Sequence, residues 1–264
     1  MKIAIIGTGN LGSSIAKGLI KNKSFTSLYL TDKNTAAVEA FRDEDYVTVT
    51  TDNNKAVQES DILIFALQPR HIDKVLENVS SNISEDHVVM SVAAGFEISK
   101  IENILGKDKN IIRVMPNTAI SIGKSMTCLS ANDKGESKMD LAKKIFNQLG
   151  TTMIIPEEQI QAATVICASG IAFWMRLVRA TTQGAIQLGF EAEEAHKLAV
   201  QTCYGSASLL IESGRHPEQE IDRVTTPSGC TIEGLNAMEH QGLSSALIQG
   251  IVASFEKINQ LKKS

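Results

Sequence analysis

Residues 1–12, MKIAIIGTGNLG, decide the fold of this chain. Ile3–Ile6 is a short uncharged apolar run, as expected for a strand that is buried on both faces. The run ends in GTGNLG, which matches G-x-G-x-x-G, and apolar residues at helical spacing follow from Ser13 to Ile20. A strand, a glycine turn and a helix in this order are the context in which the motif binds a dinucleotide.

Each glycine of the motif has its own physical reason. Gly7 lets the strand turn sharply, Gly9 leaves room for a pyrophosphate to approach the backbone, and Gly12 lets the helix lie close to the strand. The helix N-terminus then offers free N–H groups and the positive end of its dipole to the phosphates. A purely structural turn is the alternative, and the flanking strand and helix favour the dinucleotide site over it.

Alternating strands and helices continue through the first half of the chain. This pattern predicts an α/β Rossmann domain over residues 1–156, with a doubly wound, mostly parallel sheet. Ligands of such folds bind outside the carboxyl ends of the strands. Strands are expected over Ser27–Thr31, Tyr46–Thr50, Asp61–Leu67, His87–Ala93, Asn110–Met115, Ser121–Ser130 and Thr151–Ile155, with a helix over Lys134–Leu149 before the last of them.

Asp32 ends the second predicted strand, twenty residues past Gly12. In NAD-binding folds an acidic residue at this point accepts hydrogen bonds from the adenosine ribose and repels a 2′-phosphate. Asp32 is also placed to cap a helix over Thr35–Phe41, and the two roles are compatible. Lys33 beside it brings a positive charge that partly offsets the repulsion.

The second half, residues 157–264, is predicted to be an all-α dimerisation domain. Gln159–Leu188 is apolar or small on all sides, which is typical of a helix buried in a core or between subunits. A domain of this size built from long apolar helices lacks a sufficient core of its own. We therefore expect it to pair with a second copy.

Composition excludes several classes of protein. The net charge is −4 without a basic block, which argues against nucleic acid as a partner. No apolar run is expected to approach the ~20 residues that span a bilayer, and the N-terminus does not read as a signal peptide, so a cytoplasmic location is expected. Scattered cysteines and histidines predict neither a disulfide framework nor a metal site; the cysteines are Cys128, Cys167, Cys203 and Cys230.

Residues 224–232, VTTPSGCTI, form a hydroxyl-rich, uncharged segment between predicted helices. It reads as a tight loop that enters the N-terminus of a helix. Such a loop offers backbone N–H groups and hydroxyls to a small anion such as a carboxylate. The alternative is a simple helix cap by Thr231. A cap needs one hydroxyl rather than a run of them, so the segment favours the anion site.

The segment TTPSGCTIEGL, residues 225–235, resembles the signature loop of the pyrroline-5-carboxylate reductases, usually of the type Ser-Pro-Gly-Gly-x-Thr. The resemblance covers the whole chain and includes IGTGNLG, ALQP, SVAAG, RVMPNTA and QTCYGSASLL. It implies an NAD(P)H-dependent imine oxidoreductase that reduces 1-pyrroline-5-carboxylate to L-proline, the last step of proline biosynthesis. It also implies a homodimer that intertwines through the helical domain and is often assembled further into decamers.

The resemblance assigns roles to individual residues. Thr231 would be the catalytic residue, with its hydroxyl facing the ring nitrogen of the cyclic imino acid. Backbone contacts to the substrate carboxylate would come from Ser228, Gly229 and Cys230. NADPH or NADH would be held at its pyrophosphate by Gly7, Thr8, Gly9, Asn10, Leu11 and Gly12, and along the adenosine-to-nicotinamide path by Asn53, Leu67, Gln68, Pro69, Ala94 and Asn117, with Asp32 at the ribose.

The chain departs from the family pattern at four places, one of which is Asp32, where many relatives, usually NADPH-preferring, have a small or basic residue. Gln68 replaces a lysine, Ser228 replaces the first glycine of the signature pair, and residues 171 and 173 replace a proline and a tyrosine. Two alternatives stay open. One is an oxidoreductase like the β-hydroxyacid dehydrogenases, which use a lysine on the first long helix of the second domain; the absence of lysine between Lys144 and Lys197 counts against it. The other is a non-catalytic NAD(P)-binding sensor, which these departures allow.

Overall fold

The computed structural model describes residues 1–23 and 25–263, without the side chains of residues 261–263. The chain divides into two compact units. The first comprises Met1–Ala168 and the C-terminal residues from Lys257 onward, and the second comprises Ser169–Glu256. The expected domain boundary at residue 156 stays a prediction beside this division.

The first unit is built on one eight-stranded sheet with the order β3-β2-β1-β4-β5-β6-β7-β8. Strands β1 to β6 are parallel, β7 is antiparallel to β6, and β8 runs parallel to β7. The doubly wound, mostly parallel sheet is therefore confirmed. The strands are β1 (Lys2–Ile6), β2 (Ser27–Thr31), β3 (Val47–Thr50), β4 (Ile62–Phe65), β5 (Val88–Ser91), β6 (Asn110–Met115), β7 (Ser125–Ala131) and β8 (Gly150–Ile154).

Helices cover both faces of this sheet and give it two apolar cores. On one face α1 and α5 pack on the strands, with Ile5, Leu19 and Phe146 fully buried together. On the other face α2, α3 and α4 pack around Ile6 and Leu76. The bounds are α1 (Asn10–Asn22), α2 (Asn53–Gln58), α3 (Pro69–Val79), α4 (Ile98–Leu105), α5 (Met139–Phe146) and α6 (Ile160–Ala163).

Three predicted elements of the first unit differ from the structure. The helix expected over Thr35–Phe41 forms two 3₁₀ turns, at Thr35–Ala37 and Glu39–Phe41. The strand expected from Ser121 begins only at Ser125, because Thr118–Ile122 form a 3₁₀ turn that is capped by the Asn117 side chain. The helix expected over residues 134–149 is helical only in pieces. Its α-helical part is α5, and 3₁₀ turns lie before it at Gly135–Lys138 and after it at Asn147–Leu149.

The second unit is helical throughout its regular structure, as predicted. A π-helical segment, Thr164–Ser169, spans the point in the chain where the two units divide. One helix, Pro217–Val224, has no counterpart in the prediction, and it is fixed by a capping box between His216 and Gln219. The helices are α7 (Gly170–Gln187), α8 (Ala192–Ser213), α9 (Pro217–Val224), α10 (Cys230–His240) and α11 (Leu243–Lys263), of which the part of α11 from Lys257 is assigned to the first unit.

The expectation that no segment approaches membrane-spanning length is wrong. The helical stretch Glu157–Gln187 is both long and apolar enough to cross a bilayer, judged by length and composition alone. Only 22% of its most apolar window is buried. Trp174 and Met175 are 61% and 66% exposed on this stretch, so α7 presents a large apolar surface within the second unit.

Candidate functional site

The glycine turn after β1 has the geometry that its motif requires. Gly7 has a φ of +96°, and a Cβ atom there would lie 2.6 Å from the Ala66 carbonyl oxygen. A Cβ atom on Gly12 would lie 2.0 Å from the Gly7 carbonyl oxygen, so α1 packs against the turn more closely than alanine allows. A Cβ atom on Gly9 would meet no described atom within 4 Å. Gly9 thus faces open space, where the motif expects a pyrophosphate.

A cleft of about 450 Å³ opens at the carboxyl ends of β1, β2 and β4. The order of strands reverses beside β1, and doubly wound folds bind their ligands at such a reversal. Six of the predicted coenzyme residues line this cleft: Gly7, Gly9, Asp32, Asn53, Leu67 and Gln68.

Asp32 joins the end of β2 to the glycine turn. Its Oδ2 accepts a hydrogen bond of 2.7 Å from the Thr8 N–H, and its Oδ1 accepts one of 3.1 Å from the Asn34 N–H. The cap of the short 3₁₀ turn at Thr35–Ala37 is Asn34. The alternative role of Asp32 as the cap of that turn is therefore not the one observed. Next to it, the Thr31 hydroxyl donates a 2.6 Å hydrogen bond to Asn53 Oδ1 and orients that amide.

One face of α3 supplies cleft residues that the sequence did not indicate. His71, Lys74, Val75 and Asn78 recur at helical spacing and line the cleft, while Ile72, Leu76 and Val79 are buried. The 3.6-residue period of α3 groups these residues beside the buried face, but which edge of the sheet they lie along depends on how the helix packs. The positively charged residues that line the cleft are Lys33, Arg70 and Lys74, and they form its cationic rim.

Arg70 lies beside the position where the family has a lysine. Its Nε donates a 2.9 Å hydrogen bond to Gln68 Oε1. The guanidinium therefore lies next to Gln68, and the edge of the sheet retains a positive charge although the lysine is absent. Gln68 and Arg70 also line a second cavity of about 520 Å³ in the first unit, together with the predicted residues Pro69 and Ala94.

The remaining predicted coenzyme residues lie behind or beside these cavities. Thr8 is 1% exposed, and its hydroxyl has no hydrogen-bond partner among the described residues. Asn117 is 7% exposed; its Oδ1 accepts from the Ala119 N–H and its Nδ2 donates to the Cys167 carbonyl at 2.9 Å. The structure thus gives the Asn117 amide internal partners, and its contact with a coenzyme stays a prediction. Asn10, Leu11 and Gly12 form the first turn of α1, where N–H groups are free for an anion.

The hydroxyl-rich segment forms a tight turn between α9 and α10 in the second unit. The Gly229 N–H donates a 2.9 Å hydrogen bond to the Thr226 carbonyl, and Ser228 between them has a φ of 54°. Pro227 and Ser228 thus occupy the two central positions of the turn. A Cβ atom on Gly229 would lie 2.4 Å from Thr226 Oγ1, so this glycine is required by close packing.

The turn leads directly into the N-terminus of α10. Gly229 is the N-cap, Cys230 is the first helical residue and Thr231 the second. The N-cap position is therefore not that of Thr231, and no side-chain hydrogen bond caps the helix there. The first N–H groups of α10, beginning with those of Cys230 and Thr231, remain available to an anion. The Gly229 N–H is already paired with the Thr226 carbonyl, and binding of a carboxylate by residues 228–231 stays a prediction.

The fold and the cleft define a nicotinamide-dinucleotide-binding protein of the Rossmann class with a helical second unit. A family model described as pyrroline-5-carboxylate reductase dimerisation matches residues 157–261, and one described as NADP oxidoreductase, coenzyme F420-dependent, matches residues 2–95. The chain belongs to the pyrroline-5-carboxylate reductase family.

Individual relatives cover nearly the whole chain. A pyrroline-5-carboxylate reductase 1 of Dictyostelium discoideum is 46% identical over 98% of this chain, which spans only 49% of that relative's length. Reductase 2 of the same organism is 40% identical over 97% of this chain and 91% of the relative. A solved structure of a pyrroline-5-carboxylate reductase from Coxiella burnetii has a TM-score of 0.92 at 30% sequence identity. The match covers 100% of this chain and 99% of the Coxiella chain.

Proposed function

We propose that this protein reduces 1-pyrroline-5-carboxylate to L-proline with NADH or NADPH. The observation that carries the proposal is the presence of both half-sites in a chain of this family. One is the glycine turn with an open cleft at Gly9, and the other is the Thr226–Thr231 turn at the N-terminus of α10. The family membership supplies the imine substrate and the product.

The substrate half-site has the chemistry to bind a carboxylate beside an imine. The free N–H groups of Cys230 and Thr231 and the positive end of the α10 dipole favour a carboxylate. The Thr231 hydroxyl would donate a hydrogen bond to the ring nitrogen and make the C=N carbon more electrophilic. The coenzyme, when bound, supplies the hydride for that carbon. The protein's contribution is to align the two reactants.

Three groups of residues would bind different parts of the coenzyme. The glycine turn and the first turn of α1 would hold the pyrophosphate, as supported by the open space at Gly9. Asp32, which lines the cleft, would contact the adenosine ribose, and Asn53 would lie on the path from the adenosine to the nicotinamide. Leu67, Gln68, Pro69, Ala94 and Asn117 would lie toward the nicotinamide.

The helical second unit would form a homodimer. The apolar residues exposed on α7 and α8 include Trp174, Met175, Tyr204 and Ile211. The family model described as pyrroline-5-carboxylate reductase dimerisation matches both of these helices. A second copy would cover this surface, which explains its composition better than a bilayer does because polar residues such as Arg176 and Arg179 interrupt it. We also propose a cytoplasmic location, no role for membranes or nucleic acid, and further assembly into decamers.

The two alternatives differ from the proposal in what they would convert. A dehydrogenase of β-hydroxyacids would need a lysine on its first long helix, and α7 has none. A sensor would bind the coenzyme and the imino acid without oxidising the coenzyme. Assays with 1-pyrroline-5-carboxylate, with a β-hydroxyacid and with coenzyme alone therefore distinguish all three.

Substituting Thr231→Ala tests the assigned chemistry. We expect kcat to fall about 10²-fold, because one hydrogen bond to the developing charge is lost, while the KM for NADH changes little. Thr231→Ser keeps the hydroxyl and serves as the matched control, with most of the activity retained. Steady-state rates of NADH and NADPH oxidation give the result. Unchanged turnover in the alanine variant would exclude Thr231 from the catalytic site. A wild type that does not turn over 1-pyrroline-5-carboxylate would contradict the proposed reductase activity.

A further inference from the structure

Two cysteines that are distant in sequence share a small apolar cluster in the first unit. Cys128 lies on β7 and is 3% exposed, and Cys167 lies in the π-helical segment Thr164–Ser169 and is partly exposed. Met115 and Ile160 form the cluster with Cys128, and Cys167 packs against them. The proposed reduction of an imine uses neither thiol.

The backbone of Cys167 is held in place by the sheet. The Asn117 amide, just past the end of β6, donates its 2.9 Å hydrogen bond to the Cys167 carbonyl. Met115 on β6 is paired with Cys128 on β7. The same pair of strands therefore positions both cysteines, one through its own backbone and the other through a side-chain hydrogen bond.

The two thiols differ in pKa, because the contact between their side chains acts on the two groups in opposite directions. The contact with the Cys128 side chain lowers the pKa of the Cys167 thiol to about 7, although its desolvation acts in the opposite direction. The same contact and burial raise the pKa of the Cys128 thiol above its ordinary value. Cys167 is thus the more accessible and the more nucleophilic of the two, and Cys128 is the buried thiol that keeps its proton.

We propose that Cys128 and Cys167 are a dithiol modification site, at which small-molecule disulfides such as oxidised glutathione produce an intramolecular disulfide. The Cys167 thiolate attacks one sulfur of the small disulfide, forms a mixed disulfide and releases one thiolate. The Cys128 thiol then attacks the Cys167 sulfur, and its proton and the bonding electrons leave with the second small thiol. Two electrons pass in total from the protein dithiol to the small disulfide, which is reduced to two thiols.

The full-length protein tests this proposal directly. We expect incubation with oxidised glutathione to produce a species that lacks two hydrogens and joins the peptides of Cys128 and Cys167, as mapped by mass spectrometry without reduction. The variant Cys128→Ala should stop at the first step and carry one glutathionyl group on Cys167. The variant Cys167→Ala should leave the buried Cys128 unmodified. Cys203→Ala is the matched control and should form the disulfide as the wild type does.

The thermal midpoint gives a second readout that does not depend on catalysis. Because the cross-link closes a loop between residues 128 and 167, we expect oxidation to raise Tm by roughly 5 °C or more. Dithiothreitol should reverse the shift, and Cys128→Ala should show none. Recovery of only intermolecular or glutathionylated products from the wild type would overturn the proposal, as would a disulfide that lowers Tm, because the thiols would then not be positioned for it.

Discussion

Ser228 occupies a backbone conformation that suits glycine, at the position where the family has one. Its φ of 54° lies in the left-handed region, which costs a residue with a Cβ atom ~1–2 kcal/mol. The turn still forms because the Gly229–Thr226 hydrogen bond and the start of α10 fix its ends. The serine therefore stores strain in the part of the chain that would bind the substrate carboxylate.

We expect Ser228→Gly to raise the free energy of unfolding by ~0.5–1 kcal/mol, because relief of the strain exceeds the added entropy of the unfolded chain. Urea denaturation followed by circular dichroism measures this change. Gly229→Ala is the matched comparison one residue further on, and it should destabilise the protein because its Cβ atom would meet Thr226 Oγ1 at 2.4 Å. A glycine variant less stable than the wild type would show that Ser228 makes a compensating contact.

Asp32 is expected to set the preference between the two coenzymes. Its carboxylate lines the cleft where the adenosine ribose is expected, and a 2′-phosphate there would face a like charge. NADH should therefore be used at least as well as NADPH, as judged by kcat/KM. Asp32→Asn should shift the ratio of the two kcat/KM values toward NADPH by about tenfold, because the repulsion is removed.

The cationic rim of the cleft supplies the control for this prediction. Lys33→Ala should move the ratio in the opposite direction, because its charge offsets that of Asp32. Asp32→Asn also weakens the link to Thr8, so the KM for both coenzymes should rise together. A wild type with strong preference for NADPH would contradict the role given to Asp32.

At the level of elements, the sequence predicts best what is determined locally. The strand, turn and helix of residues 2–22 follow from apolar periodicity and three glycines, and the structure confirms them. The start of β7 depends instead on Asn117, whose side chain caps a 3₁₀ turn and bonds Cys167, fifty residues away. No local pattern contains that contact. Helix α9 depends on the capping pair His216 and Gln219 rather than on apolar periodicity.

The same distinction applies to the candidate site. Asp32 could be found from its distance to the glycine motif, and the α10 turn from its hydroxyl-rich composition. The cleft residues His71 and Lys74 could not be found in this way, because their role depends on how α3 is rotated against the sheet. That rotation is set by burial of Ile72 and Leu76, which is a property of the folded core.

Glu157 connects three elements of the first unit. Its Oε1 accepts a 2.7 Å hydrogen bond from the Ile98 N–H at the start of α4 and a 3.0 Å hydrogen bond from Arg113 Nη1 on β6. The Arg113 side chain is 1% exposed, and this carboxylate is its partner in the ion pair. Truncating one member of a buried ion pair leaves the other charge uncompensated.

We expect Glu157→Ala to lower the free energy of unfolding by ~3 kcal/mol, at the lower end for such pairs because Glu157 is partly exposed. Glu157→Gln keeps an acceptor for both donors and removes only the charge, so it should lose less than the alanine variant. Urea denaturation of both variants separates the hydrogen bonds from the charge. Equal losses of unfolding free energy in the two variants would mean that only the charge matters. A negligible loss in the alanine variant would show that the ion pair does not stabilise the fold.

For the whole molecule, the apolar surface of α7 and α8 favours an assembly in which a second copy covers it. Trp174 is 61% exposed in the single chain, and large aromatic residues dominate the energetics of interfaces. We expect light scattering to give a mass of at least twice 28.5 kDa for the wild type. Trp174→Asp should lower that mass to the mass of one chain, because a carboxylate would be buried without a partner.

Ile122→Asp is the control for this prediction. Ile122 is 69% exposed in the first unit and lies outside the matched dimerisation region, so the mass of this variant should stay that of the wild type. A wild-type protein that is monomeric at micromolar concentration would exclude dimerisation through this surface.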